Sequence, residues 1–290
     1  PFNRAFSPDH SDPFIVRGIN CLSGSGGNYA DNRHAKIIFN ELSTKINKID
    51  LDNNDFEVKN LLLSGANIND NLFLPSESNS QKNTEKVEVS KQEKPLKFLL
   101  GKLNLNDVKV VYNNTAINPT KQGMDFNHLN FSKLNLNLED FKMENGTFAG
   151  SVNSAEIMEN RGLNIQKFNT DFMYEEKQAY LKNLYLQTPK TVLRDEIILN
   201  YNSIQQLSSN PGAVKIMANI RNSKIGISDI LNLVPDLKNT IPFNKYPNSS
   251  LNLNARLKGN LNDLNFQAFQ FSGLGELKII ASGNVKNAMN

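Results

Sequence analysis

The stretch LNLNDVKV, residues 103–110, decides how this sequence is interpreted. Leucine alternates with asparagine as far as Leu105, which is the period of a strand with one apolar face. The next apolar residues are Val108 and Val110, so the alternation skips one position. An unbroken strand would turn its apolar face over there, and a bulge or a corner at Asp107 absorbs the extra residue. Aspartate and asparagine suit such a place because they bond to nearby backbone and tolerate left-handed geometry.

The same order of residues recurs: apolar, any, Asp or Asn, apolar, any, apolar. The predicted corner residues in its five copies are Asn60, Asp107, Asp140, Asn183 and Asp263. The copies lie at irregular intervals, which does not favour a tight solenoid. The pattern alone is compatible with two folds. One is a sheet that bends at recurring corners into a trough, and the other is a β-sandwich with ordinary strand junctions.

Strands dominate the rest of the prediction. Short apolar–polar alternating runs follow one another closely from residue 96 onward, which is typical of an all-β protein. Asn145-Gly146 is the dipeptide most typical of a tight hairpin. The exception is the region 228–238, where clustered apolar residues limited by Pro235 predict one short helix.

The chain divides into an irregular segment at 1–34, rich in proline, glycine and serine, and a β-rich segment at 35–290. Residues 75–95 are polar, charged and bounded by prolines. We expect them to form a solvated loop, because they are too polar to repay the entropy of ordering. The sequence begins with Pro1 and has no obvious terminal element, so we expect it to be a fragment of a longer protein.

Composition excludes several classes. The net charge is +3 over 290 residues, without a basic cluster, so nucleic acid is not expected as a partner. Cys21 is the one cysteine, so no internal disulfide is possible. No apolar run approaches the ~18 residues that a membrane-spanning helix needs.

Catalytic and metal-binding patterns are missing from the sequence. The three histidines, His10, His34 and His128, are scattered, and none lies in a zinc-binding motif. The acidic run at 50–55 lacks the glycine and the final glutamate of a calcium loop. We therefore expect no enzyme activity, no catalytic residue, no bound metal and no cofactor.

Several segments carry a family resemblance. GMDFNHLNFSKLNLNLEDFKM, RGLNIQKFNTDFMY, LKNLYLQTPKTVL, LNYNSIQQL and SKIGISDILNLVPDL, in this order, resemble the translocation and assembly module subunit TamB of Bacteroidetes-type bacteria. The resemblance covers residues 96–290 well and 40–74 loosely, but not 1–34.

The resemblance implies an elongated, curved β-sheet trough of short antiparallel strands, the β-taco of bridge-like lipid-transfer proteins. It implies a periplasmic location and an anchor in the inner membrane through an N-terminal helix outside this sequence. The implied partners are a BamA-related outer-membrane barrel and phospholipid acyl chains, and the implied roles are outer-membrane protein assembly or secretion and phospholipid transport.

An apolar strand face kept on one side across corners could shield acyl chains, at about 0.8 kcal/mol per buried methylene. The predicted lining residues of such a groove are Leu103, Leu105, Val108, Val110, Leu136, Leu138, Phe141, Met143, Leu184, Leu186, Leu264 and Phe266. The alternative is a compact β-sandwich that serves as a binding or adhesion module and has no lipid role.

Overall fold

The computed structural model describes residues 14–17, 20–23, 33–72, 94–260 and 262–286. The strands are β1 Phe14–Arg17, β2 Asn20–Ser23, β3 Arg33–Ile38, β4 Glu41–Asp50, β5 Asp55–Ser64, β6 Asn67–Leu72, β7 Lys97–Asn114, β8 His128–Glu144, β9 Thr147–Glu159, β10 Asn164–Tyr174, β11 Gln178–Gln187, β12 Val192–Asn200, β13 Lys215–Gly226, β14 Ser250–Asn260, β15 Asp263–Ser272 and β16 Lys278–Lys286. The helices are α1 Gln206–Ser209 and α2 Ile227–Leu233, with 3-10 turns at Pro211–Ala213 and Pro235–Asn239.

All of these strands belong to one curved sheet that does not close on itself. From β7 to β16 it is an antiparallel meander, in which each strand pairs with the next in sequence. The predicted all-β trough is therefore confirmed as a fold. The sandwich alternative is wrong as an architecture, because the described strands form no second sheet.

Strand β7 is where the sheet departs from a simple meander. Its first half pairs in parallel with β5, and its second half pairs in parallel with β6. β5 and β6 lie one after the other along the same edge of β7, and Gly65-Ala66 separates them. The predicted antiparallel order is thus wrong at this edge, since two strands run alongside β7 in the same direction.

The expectation of short strands is also wrong in the middle of the sheet. β7 has 18 residues and β8 has 17, because each strand continues through its corner instead of ending there. A bulge keeps the ladder of hydrogen bonds on both sides of the extra residue.

Two local predictions are confirmed. Asn145 and Gly146 join β8 to β9 with φ values of 51° and 75°, as a two-residue hairpin with the favoured twist requires. The short helix forms as α2, and after a break at Val234 a 3-10 turn follows at Pro235–Asn239. Proline lacks the N–H that an uninterrupted helix would use.

The boundaries at the N-terminal end differ from the expectation. β1 and β2 lie inside the segment 1–34 that was predicted to be irregular, and they pair with β4 and β3. The rest of 1–32 and residues 75–93 of the predicted solvated loop lie outside the described residues. Within the described part of the chain, no helix has the length and apolar character needed to cross a membrane.

Candidate apolar groove

The corners form where the sequence pattern predicts them at three positions. Asp107, Asp140 and Asn183 have φ values of 51° to 52°, in the left-handed region. The pairing register of the sheet shifts beside each of them. The extra residue is absorbed at these points, and the same strand face stays apolar on both sides.

The other two predicted corners are wrong. Asn60 is an ordinary ladder residue opposite Lys45, and the register shift falls next to it. Asp263 is the first residue of β15, directly after a hairpin turn, and its N–H donates to the side-chain oxygen of Asn260 at 3.0 Å. The corner of β15 comes later, between Phe266 and Phe269.

Two further corners were missed. Asp195 and Asn222 have φ values of 90° and 45°, and both lie at register shifts. Asn222 follows the predicted pattern except that Ser223 stands where an apolar residue was required. With Asp140 and Asn183, these residues mark a line of corners across the sheet, which we call the crease.

Cross-strand pairing defines a continuous apolar face. Neighbouring partners in an antiparallel ladder project to the same side of the sheet. One such row crosses ten strands without a charged residue: Leu100, Phe141, Gly150, Phe172, Leu181, Ile197, Ala218, Leu257, Phe266 and Gly283. A second row beside it holds Phe98, Met143, Phe148, Tyr174, Ala179, Leu199, Ile216, Gly259, Leu264 and Val285.

All twelve predicted lining residues lie on this face. Leu103 and Leu138 pair with each other, as do Leu105 and Leu136, on the far side of the corner from Phe141. Leu105, Val108 and Val110 differ from the rest, because they pack in a small core cluster with Phe39 and Ala66. That cluster fills the face at the β3–β7 end of the sheet.

The apolar face is the inner face of the bend. Leu184 is 4% exposed, Ala218 2% and Ala255 4%, although the sheet is a single layer. We infer that the bend brings the two arms of the sheet together over the side chains close to the crease. The corner residues Asp140 and Asn183 are exposed, as expected on the outer side. We call the inner face the apolar groove.

One depression in the groove lies around Phe172. It has a volume of about 260 Å³, and the groove residues around it include Tyr174, Leu181, Ile197 and Leu199. None of these side chains carries a charge.

Asparagine and aspartate hold the outer face together. Asn153 donates to Asn137 at 3.0 Å, and Asn137 donates to Asn104 at 2.6 Å, which forms an amide ladder over three strands. The Asp171 carboxylate accepts from Ser151 and from Asn183, both at 2.7 Å.

The last two bonds favour the charged carboxylate, so they lower the pKa of Asp171. The abundance of asparagine thus has a structural use at the corners and along the outer face.

Residues 227–249, which connect β13 to β14, form a strap along one rim of the groove. We call them the rim strap. Adjacent antiparallel strands need only ~2–5 residues in such a connection. Asp229 Oδ2 accepts from the hydroxyls of Thr188 at 2.6 Å and Thr191 at 2.5 Å, in the β11–β12 turn. The strap then contacts the β9–β10 turn, where Asn232 Nδ2 lies 3.5 Å from the Gly162 oxygen.

The strap also reaches the β7–β8 loop. The Met124 N–H donates to the Asn232 oxygen at 2.7 Å. Gly123 has a φ of 72°, and a Cβ atom there would lie 2.9 Å from both the Asn232 oxygen and Pro235 Cγ. The close approach therefore requires glycine. At its other end the strap places Tyr246 beside Gly275 in the β15–β16 turn.

A buried carboxylate organises the β7–β8 loop. Asp125 is 1% exposed and accepts from the N–H groups of Thr120 at 2.8 Å and Asn127 at 3.1 Å. Its other contacts are His128 Nδ1 at 3.0 Å and the Arg161 guanidinium at 3.7 Å. Burial raises the pKa of Asp125, but the hydrogen bonds outweigh it and lower the pKa to about 2.

The described residues include no group of three or more His, Cys, Asp or Glu side chains that could hold a metal ion. No protein-family model, curated protein or solved structure matches this chain. The resemblance to TamB therefore stays an expectation from sequence, and the groove geometry is what bears on function.

Proposed function

We propose that this chain is a segment of a TamB-like cell-envelope protein whose apolar groove carries the acyl chains of phospholipids between two membranes. The observation that carries the proposal is the continuous apolar inner face of a single, unclosed sheet. A sheet face of this size that no second layer covers needs an apolar occupant.

The size of the groove suits a hydrocarbon chain. Ten strands at ~4.8 Å spacing give a length of roughly 40 Å from β7 to β16. One leaflet of a bilayer is about 15 Å of hydrocarbon, half of the ~30 Å core. The groove is thus longer than one acyl chain, as a path along which chains move would be.

The chemistry of the groove favours hydrocarbon over polypeptide. The backbone groups of its floor already bond within the sheet, so they offer an incoming chain no partner. A bound polypeptide would leave its own N–H and C=O groups unpaired, at about 1–3 kcal/mol each. An acyl chain has no such groups and gains about 0.8 kcal/mol per buried methylene.

The wider setting follows from the resemblance. We propose that the full protein lies in the periplasm, with its anchor in the inner membrane, and works with a BamA-related outer-membrane barrel. A role in outer-membrane protein assembly then acts through lipid supply or through contacts elsewhere in the protein.

A matched pair on β12 tests the proposal. Ile197 lies on the groove face and Ile198 on the outer face of the same strand. The purified protein is incubated with phosphatidylethanolamine–phosphatidylglycerol vesicles that contain a fluorescent phospholipid, and the phospholipid that co-elutes with protein is measured.

Ile197→Asp should reduce the bound phospholipid by on the order of tenfold, because a buried carboxylate is costly. Ile198→Asp should leave it near the wild-type amount. Circular dichroism shows whether each variant is folded, and Ile197→Thr replaces the aspartate variant if it unfolds. Equal binding by folded Ile197 and Ile198 variants, or no phospholipid bound by the wild type, would contradict the proposal.

A further inference from the structure

The rim strap has a fixed half and a loosely held half. Residues 227–232 are anchored, since Ile227 is fully buried and Asp229 accepts two threonine hydroxyls. Beyond Pro235, the backbone hydrogen bonds are local turns within the strap, such as Asn244 N–H to Thr240 O at 2.9 Å. The contacts of this half with the rest of the protein include Tyr246, which lies beside Gly275, and an exposed contact of 3.4 Å between Lys238 and Gln122.

The loosely held half begins at a break in the helical backbone and exposes the apolar side chain of Ile241. Val234 has φ −131° and ψ 75°, which ends α2 just before Pro235. Within this half Ile241 is 82% exposed, and Val234 and Leu233, which come just before this half, are 46% and 51% exposed. Burial of Ile241 would favour a closed position, because it removes an almost fully exposed apolar side chain from water.

The groove lies within reach of this half. The crease at Asn222 is four residues along β13 from Gly226, or roughly 13 Å. Residues 235–248, doubled back between their two ends, reach roughly 20 Å. The groove residues between the rim and the crease include Ile225, Leu251 and Leu253.

We propose that residues 235–248 are a lid that closes from the rim onto the apolar groove, with Ile241 at its tip. This inference rests on the proposed function, because it concerns how the same groove holds its lipid. In the rim position the apolar tip faces water. In the closed position it covers the groove between the rim and the crease and slows the exit of a bound chain.

Photo-crosslinking tests the lid without lipid. A photoreactive amino acid replaces Ile241 in one variant and Phe126, which is 64% exposed in the β7–β8 loop, in the control. Irradiation of the lipid-free protein followed by mass spectrometry should give Ile241-site products with groove residues such as Leu253, and none from the Phe126 site. Products confined to the strap and the neighbouring turns would overturn the lid.

Lipid release gives a second readout. Ile241→Asp should speed the release of bound fluorescent phospholipid by on the order of tenfold, because the charged tip no longer packs in the groove. Phe126→Asp should leave the rate unchanged. Equal release rates in Ile241→Asp and wild type would overturn the lid while leaving the groove intact. No lipid in any variant would count against the proposed function, and the crosslinks would still decide the lid.

Discussion

The backbone N–H of Asp107 donates a 2.7 Å hydrogen bond to the side-chain oxygen of Asn135 on the neighbouring strand. The bulge at Asp107 takes this N–H out of the regular ladder, and the asparagine supplies the missing acceptor. Asn222 and Asn254 form the same relationship at 2.6 Å. At these two corners, the corner residue and an outer-face asparagine therefore form a pair that joins neighbouring strands across the bend.

The left-handed backbone at Asp107 leads to the first prediction. Asp107→Val should lower the free energy of unfolding by about 1–2 kcal/mol, because a β-branched side chain is strained at positive φ. Lys109→Val, at an exposed position of the same strand, is the control and should change it little. Urea unfolding followed by circular dichroism measures both. Equal stability of the two variants would mean that the corner is not held in this conformation.

The inner side of the bend leads to the second prediction. Ala218 is 2% exposed in the groove, whereas Ala268 is exposed on β15. Ala218→Leu should lower the free energy of unfolding by about 1–3 kcal/mol through overpacking near the crease. Ala268→Leu should cost less than ~0.5 kcal/mol, as ordinary surface substitutions do. If Ala218→Leu proved neutral or stabilising, the apolar face would be open at this point.

The anchor of the rim strap leads to the third prediction. Thr191 Oγ1 donates to Asp229 and accepts from the Gly226 N–H at 3.0 Å. Thr191→Val should lower stability by about 1–3 kcal/mol, because it leaves the Gly226 N–H without this partner. Hydrogen exchange should speed up in α2 first. Thr147→Val, at the start of β9 beside the opposite rim, is the control, and the same exchange pattern in both variants would contradict the anchor.

Acid sensitivity at Asp125 leads to the fourth prediction. Its folded-state pKa of about 2 lies below the ordinary value of 3.8, so its contribution to stability is fully present above pH ~4. That contribution is lost as the pH falls from about 4 to about 2, where the folded carboxyl takes up its proton. His128 and Arg161 are the charged or titratable groups that contact it.

Urea unfolding at pH 4.5 and at pH ~2 measures this contribution. Asp125→Asn should be less stable than wild type at pH 4.5 and should lose less stability on acidification. Asp236→Asn, in the exposed part of the strap, should follow the wild type. A wild-type acid dependence retained in Asp125→Asn would assign the effect to other carboxyl groups.

The sequence predicted the all-β class, three of the five proposed corners and the shared face of all twelve lining residues, because these depend on local alternation. The predicted pattern required an apolar residue after the corner. Asn222 was missed because Ser223 follows it, and Ser223 accepts a hydrogen bond from the Arg194 N–H. Asp263 was misassigned because a hairpin turn uses the same residue types as a bulge.

The sequence did not predict two features that depend on contacts between distant parts of the chain. The parallel pairing of β5 and β6 with β7 depends on register between distant segments, and alternation does not specify a partner strand. The course of the rim strap along the hairpin turns depends on contacts such as Asn232 with Met124, which join residues far apart in the chain.

The central claim is that the inner face, and not the outer face, holds phospholipid. Ile216 and Met217 are neighbours on β13 that face opposite sides, and Met217 is 38% exposed. A photoreactive amino acid at each position, with irradiation in the presence of radiolabelled phospholipid vesicles, compares the two faces directly. We predict labelled phospholipid on the Ile216 site and little on the Met217 site. Labelling at Met217 equal to or above that at Ile216, or labelling at neither, would contradict the account.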